Sequence, residues 1–229
     1  MMNKLIIKED IIKEQILDDS ISVSFIKKDN IFSVNKIKID VLKDSKLEIF
    51  HDTYEDIKMD IKIYIHDDCK LELTEYKTGT NYKISNLYEV MNNSKLILKK
   101  YYKLRAIKEF TVIDLNGINA CVNYDFNTIC KNFQKYDMNI NHNNKNTISN
   151  IKNSGLNIID GTLTFNISSF VKADNCKIEE NNLIVNKTLE KCIITPNIFV
   201  DNYKVESNIC TNITNDENKL VNKFYKKPE

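Results

Sequence analysis

The sequence predicts an all-β fold wound as a parallel β-helix. Three observations carry this. From Ile21 onward apolar and polar residues alternate, as in SISVSFIKKDNIFSVNKIKIDVLKDSKLEIF, with breaks at KKDN and KDSK. A period of two with polar breaks is the pattern of half-buried strands joined by tight turns. A strand–turn–strand unit then recurs, as IKIDV-LKDSK-LEIF, IKIYI-HDDCK-LELTEY and NLYEV-MNNSK-LILKKYY, with Lys46, Lys70 and Lys95 spaced by 24 and 25 residues. The chain also has only 4 glycines, so its turns rest on Asn and Asp. These tolerate the left-handed backbone better than other residues with a side chain.

A repeat of this length fits one turn of a coil whose apolar side chains stack on the turns above and below. An antiparallel sandwich would use similar strands. It gives no reason for the same turn chemistry to return at that spacing. A related turn, Asp174-Asn175-Cys176-Lys177, follows much later.

Taken in order, residues 1–20 form an N-terminal segment. Ile6, Ile7, Ile11, Ile12, Ile16 and Leu17 recur there near helical spacing and predict a short helix. Residues 21–229 read as a single β-helix domain, since no low-complexity linker divides them. Pro196, between two apolar runs, predicts a strand start or a corner rather than a central strand.

Composition narrows the function classes. The 229 residues carry a net charge of +1, and Arg105 is the single arginine. That balance gives no electrostatic case for nucleic acid or anionic lipid. No apolar run approaches the roughly 18 residues of a membrane span. The N-terminus MMNKLIIKEDIIKEQI has no apolar run of secretion-signal length. The 6 cysteines form no C-x-x-C pair, and reduced thiols in a cytoplasm are expected.

Catalytic patterns are scarce. His51, His66 and His142 have no zinc-site spacing, and His66 beside Cys69 reads as part of a solvated turn. Asp67-Asp68 and Glu179-Glu180 read as polar turns. There is no nucleophile elbow and no phosphate loop, so the chain reads as a scaffold and not an enzyme. Cys121 and Cys192 lie in apolar strand context and read as buried. Cys176 and Cys210 have more polar surroundings and are the better thiolate candidates. A remote alternative is a β-helical carbohydrate-active enzyme. It calls for acids and lysines clustered on one exposed groove, and no such cluster is visible in the sequence.

A set of ordered motifs carries a resemblance over about residues 105–225. They are Asp114 to Ala120 (DLNGINA), His142 with Thr147-Ile148-Ser149 and Gly155, and Gly161 to Phe165 ahead of Ala173. Asn182 to Val185, Pro196, Asp201 to Val205 and Phe224-Tyr225 complete them. In this the chain resembles the SufB/SufD family of iron–sulfur cluster assembly scaffolds, as a minimal or truncated member. The resemblance implies a right-handed parallel β-helix that pairs with a SufB/SufD-like subunit and works with a SufC-type ATPase in the cytoplasm. It implies a transient iron–sulfur cluster, with Cys176, Cys192 and Cys210 as thiolates and Glu206 as a hard or orienting ligand. Cys176 and Cys210 are the candidate metal ligands. Where SufB-like members carry a cysteine, this chain has Asn181. Ser207 and Asn208 stand where members carry a His or Glu. The family's C-terminal helices, its ATPase dock, would begin after Phe224-Tyr225, where this sequence reads only Lys226 to Glu229. A non-catalytic β-helix subunit that has lost the cluster-building residues is the alternative.

Overall fold

A computed structural model of the chain describes residues 2–25, 36–201 and 203–220. The alternation becomes strands throughout. Along LELTEYK, Leu71, Leu73, Glu75 and Lys77 turn inward and are buried, while Glu72, Thr74 and Tyr76 turn outward. The strands are β1 (Asn3–Lys8), β2 (Ile11–Ile16), β3 (Ile21–Phe25), β4 (Lys36–Val41), β5 (Ser45–Ile65), β6 (Lys70–Val90) and β7 (Lys95–Leu115). Then come β8 (Cys121–Cys130), β9 (Phe133–His142), β10 (Ile148–Asn157), β11 (Thr162–Val171), β12 (Cys176–Asn186), β13 (Ile193–Val200) and β14 (Val205–Thr214). The helical content among the described residues is a 3-10 turn at Glu217–Lys219, and no helix there is long and apolar enough to cross a membrane.

These strands coil into a parallel β-helix of about 7 turns. One face stacks β1, the first half of β5, β6 and β7, then β8, β10, β12 and β14 in parallel register. The second face stacks β4, the second halves of β5, β6 and β7, then β9, β11 and β13. Inward columns such as Leu47, Leu73, Leu98 and Tyr124 fill the interior. Each fully buried aliphatic side chain contributes about 1.5–3 kcal/mol.

The expected N-terminal helix is a β-hairpin instead. β1 pairs antiparallel with β2 and parallel with β5, so Leu5 and Ile7 belong to the first rung of the core. β-Branched isoleucines suit a pleated surface better than a helix. Glu9, at φ 54°, makes the hairpin turn. Its carboxylate accepts the Thr53 hydroxyl and the Tyr54 N–H, the latter at 3.0 and 3.1 Å, which staples the hairpin to β5.

The repeat holds with one correction. Lys70 and Lys95 are register partners, but Lys46 lies opposite Glu72, with which it forms an ion pair at 3.3 Å. Residues 42–44 join Val41 to Ser45, whereas residues 66–70 join their register partners Ile65 and Leu71, and this turn, shorter by two residues, displaces Lys46. The expected Asn and Asp turns are present as a column. Asp68, Asn93, Asn119, Asn146 and Asn175 take left-handed φ of 53–61° at the same corner of successive rungs. Their side chains form an amide ladder: Asn93 donates to Asp68 at 2.9 Å, Asn119 to Asn93 at 2.8 Å and Asn146 to Asn119 at 3.2 Å. Pro196 lies within β13, which pairs only with β11 among the described strands. Proline is tolerated in such an edge strand, so it needs neither a strand start nor a corner. The KKDN break, Asn202 and Phe224-Tyr225 lie outside the described residues.

Candidate functional site

The two ends of the coil differ. At the N-terminal end β2 and β3 run antiparallel to β1 and β4. At the C-terminal end β14 pairs only with β12 among the described strands. Glu206, Asn208 and Cys210 occupy alternate positions on β14, share its outer face and are exposed. Cys210 is the one cysteine of the six classed as exposed. It stands in register with Asn181, and Asn181 with Lys152.

A shallow groove of about 400 Å³ leads to this row across the outer face. Its two walls are columns two residues apart on neighbouring strands. One runs Asn123, Asn150, Glu179 and Asn208, and the other Lys99, Asp125, Lys152 and Asn181, ending on Cys210. Charges alternate in sign along the second column, as stable cross-strand pairs do. The groove thus holds acids and lysines that the sequence did not reveal as a cluster. Asp125 and Glu179 are two strands apart and offset by two residues, roughly 12 Å along the sheet. A glycosidase carboxylate pair needs about 5–9.5 Å.

Each predicted ligand has a definite place. Cys176 faces inward, 1% exposed, with its Sγ 3.2 Å from the Thr147 hydroxyl and the Ala173 carbonyl and 3.7 Å from that of Asn144. It pairs in register with Val205, whereas Cys210 pairs with Asn181, five residues further along β12. The two are therefore about 16 Å apart and on opposite faces of the sheet. Cys176 and Glu206 share the lining of a separate recess of about 430 Å³ at the corner. Cys192, half-buried ahead of β13, accepts the Asn157 amide N–H at 3.5 Å, and burial raises its thiol pKa. Asn157 is the register partner of Cys130, which is buried; burial there raises the thiol pKa to about 12. Among the described residues no group of three or more His, Cys, Asp or Glu side chains is placed to hold a metal ion.

The motif residues around His142 do converge. Its Nδ1 lies 2.8 Å from the Thr147 hydroxyl and its Nε2 3.0 Å from that of Ser149, all inside the coil. Burial depresses this imidazole to about 4. The motif glycines are close-approach positions. A Cβ on Gly117 would sit 2.0 Å from the Asn92 nitrogen, and one on Gly155 2.3 Å from a Leu163 methyl.

Sequence reasoning missed the polar centre of the coil. Glu75 and Lys77 on β6, and Lys100 and Tyr102 on β7, all point inward beside Tyr88, Glu109 and Thr111. Lys77 and Tyr102 donate to one Glu75 oxygen, Tyr102 at 3.0 Å, and Tyr88 donates to the other at 3.1 Å. Lys100 donates to Glu109 at 2.7 Å, as does Thr111 at 3.0 Å. Burial pushes the Glu75 carboxyl up, but the charges of Lys100 and Lys77 outweigh it and hold the group at about 2. The signal was present: strict alternation from Leu71 and Leu73 places Glu75 and Lys77 on the core side. On β12, Glu180 is also inward-facing, within a strand and not in the polar turn expected of Glu179-Glu180. Burial raises its carboxyl to about 7, and its Oε2 has no partner.

The fold and this geometry define a parallel β-helix protein whose last described strand, β14, pairs only with β12 among the described strands. Comparison with protein-family models and with curated proteins gives no match.

Proposed function

We propose that the chain is a scaffold subunit of a SUF-type iron–sulfur cluster assembly complex, pairing through its β-helix with a like subunit in the cytoplasm. The observation that carries this reading is the placement of Cys210. It is exposed, lies on the last described strand, and is one rung from Asn181, the position at which SufB-like members carry a cysteine. A free strand edge is a template for pairing with another chain. A like subunit added there would bring its own donors against the Glu206–Cys210 row. Soft sulfur from both chains, with Glu206 as an oxygen donor, suits an iron–sulfur cluster held in transit. Partnership with an ABC-type ATPase rests on the motif resemblance.

A second reading is favoured by one observation. Cys176 and Cys210 face opposite sides of the sheet. In that reading the chain supports a cluster-building partner and holds no cluster itself. Anaerobic reconstitution with iron and sulfide, alone and with a SufB-like subunit, separates the two. The first expects cluster absorbance that is lost in Cys210→Ser. The second expects pairing by light scattering with absorbance indifferent to Cys210. A strictly monomeric chain with no affinity for such a partner removes both.

A further inference from the structure

Four lysines stand in one column on the second face. Lys58 is in register with Lys83, Lys83 with Lys108, and Lys108 with Lys135. Like charges on directly opposed positions destabilise a sheet. Elsewhere opposed lysines are compensated by acids: Lys38 opposes Lys62, but they pair with Asp40 at 2.9 Å and Glu89 at 2.6 Å, and Lys70, opposite Lys95, pairs with Glu72. Within the column Lys135 is paired with Asp137 at 2.9 Å. Lys58, Lys83 and Lys108 are exposed, and no acid lies within ion-pair distance of them among the described residues. Lys108 instead sits 5.5 Å from the centre of the Phe133 ring. Phe133 and Phe110 are 38% and 43% exposed and flank the column on its two sides at the rungs of Lys135 and Lys108. A groove of about 150 Å³ runs beside Lys58, Lys83, Lys108 and Phe110.

We propose that this lysine ladder, with Phe110 and Phe133, is a docking surface for the acidic face of an α-helix from a partner protein. The spacing fits. Rungs recur at about 4.8 Å, so the ladder covers about 14 Å. Three turns of a helix rise about 16 Å, and flexible lysine stems absorb the difference of about 2 Å. A helix with one carboxylate per turn on one face then meets a lysine at each rung, and apolar residues beside them cover the two phenylalanines. Nucleic acid fits less well. Each DNA strand places a charge every 3.4 Å, denser than the ladder. This surface lies on a different face from β14, so it stands or falls separately from the cluster-assembly reading.

The test uses the full chain and a short alanine-based helical peptide with one glutamate per turn on a single face, followed by fluorescence anisotropy. The glutamate peptide binds at low salt, its glutamine counterpart does not, and added salt weakens binding. Lys58→Ser, Lys83→Ser and Lys108→Ser together weaken binding about tenfold. The three arginine replacements keep it, and the unfolding midpoint of the serine variant does not fall. Lys83→Glu alone, in the middle of the ladder, weakens binding in the same direction. Equal binding of the glutamine peptide, or binding unchanged by the serine triple, overturns the proposal. So does displacement of the peptide by a tighter-binding single-stranded oligonucleotide or polyuronate, which would make the ladder a general polyanion site.

Discussion

Glu75→Gln is the substitution that interrogates the polar interior most directly. The amide keeps the size of the side chain and an oxygen for Tyr88, but it removes the negative charge shared by Lys77 and Lys100. Both lysines are 0% exposed, so neither regains water while the coil stays folded. Removing one partner of a buried ion pair costs about 3–5 kcal/mol. Lys77→Met leaves Glu75 with Lys100 and two tyrosine hydroxyls and falls at the lower end, about 3 kcal/mol. The double variant Glu75→Gln with Lys77→Met is expected to cost about 2 kcal/mol less than the sum of the singles, since no charge is orphaned between them. Urea unfolding at neutral pH, compared by midpoint within one series, measures all three. The pH dependence gives a second readout. The folded carboxyl, held at about 2, lies below its usual 4.5, so its contribution is full above 4.5 and is lost as pH falls toward 2. The Glu75→Gln deficit should therefore shrink across that window. Additivity of the two singles within about 0.5 kcal/mol would show that the charges do not act as a pair and would refute this account.

Other expectations follow from the same geometry. Asn119→Ala, at φ 61°, loses its place in the amide ladder and forces alanine into the left-handed region, for a loss of about 2 kcal/mol; Asn119→Gly removes the strain and should lose about half of that, both read by thermal unfolding. His51 and His142 are both depressed to about 4, mainly by burial, from the usual 6.5. The unfolded chain therefore takes up protons that the folded chain refuses, and each histidine lowers stability by about 3 kcal/mol as pH falls from 6.5 toward 4. Glu180, raised to about 7, acts in the opposite sense, losing stability as pH rises from 4.5 to 7, so Glu180→Gln should steepen the acid-side slope in urea titrations near pH 5–6. Under native conditions a maleimide should label Cys210 first, with Cys176 and Cys130 protected until the coil unfolds, as peptide mapping after timed quenching would show.

The coil was legible because a parallel β-helix writes its architecture into local sequence. Alternation sets which residues face inward, and the corner column repeats Asp68, Asn93 and Asn119 where each rung needs a left-handed residue. The first rung was misread for the same reason that the rest was clear. Isoleucine pairs at Ile6-Ile7 and Ile11-Ile12 match helical spacing over one short window, and only the partner strand β5 decides between the two. The register of Lys46 was displaced because the turn after Val41 is two residues shorter than the turn after its partner Ile65, a length difference that the shared turn chemistry hides. The groove, the Cys210–Asn181 neighbourhood and the lysine ladder join residues 25–29 positions apart, so they emerge only once the register is known. The buried Glu75–Lys77 pair follows from the alternation but runs against the expectation that charges face water.

The location of these features bears on how the molecule works. A parallel coil buries each rung against the next, so its free energy is built rung by rung and its ends are its weakest elements. Here the strongest polar specification, the Glu75–Lys77–Lys100–Glu109 network, sits in the central rungs, where a shifted register would strand four charges away from water. The antiparallel strands β2 and β3 close the first rung. The last described rung leaves Ile213, Phe199 and Val200 between 40% and 51% exposed, beside the row that ends on Cys210. Burial of such side chains is worth about 25 cal/mol per Å² of apolar surface, so a second β-helix docked on this edge gains both strand hydrogen bonds and apolar cover.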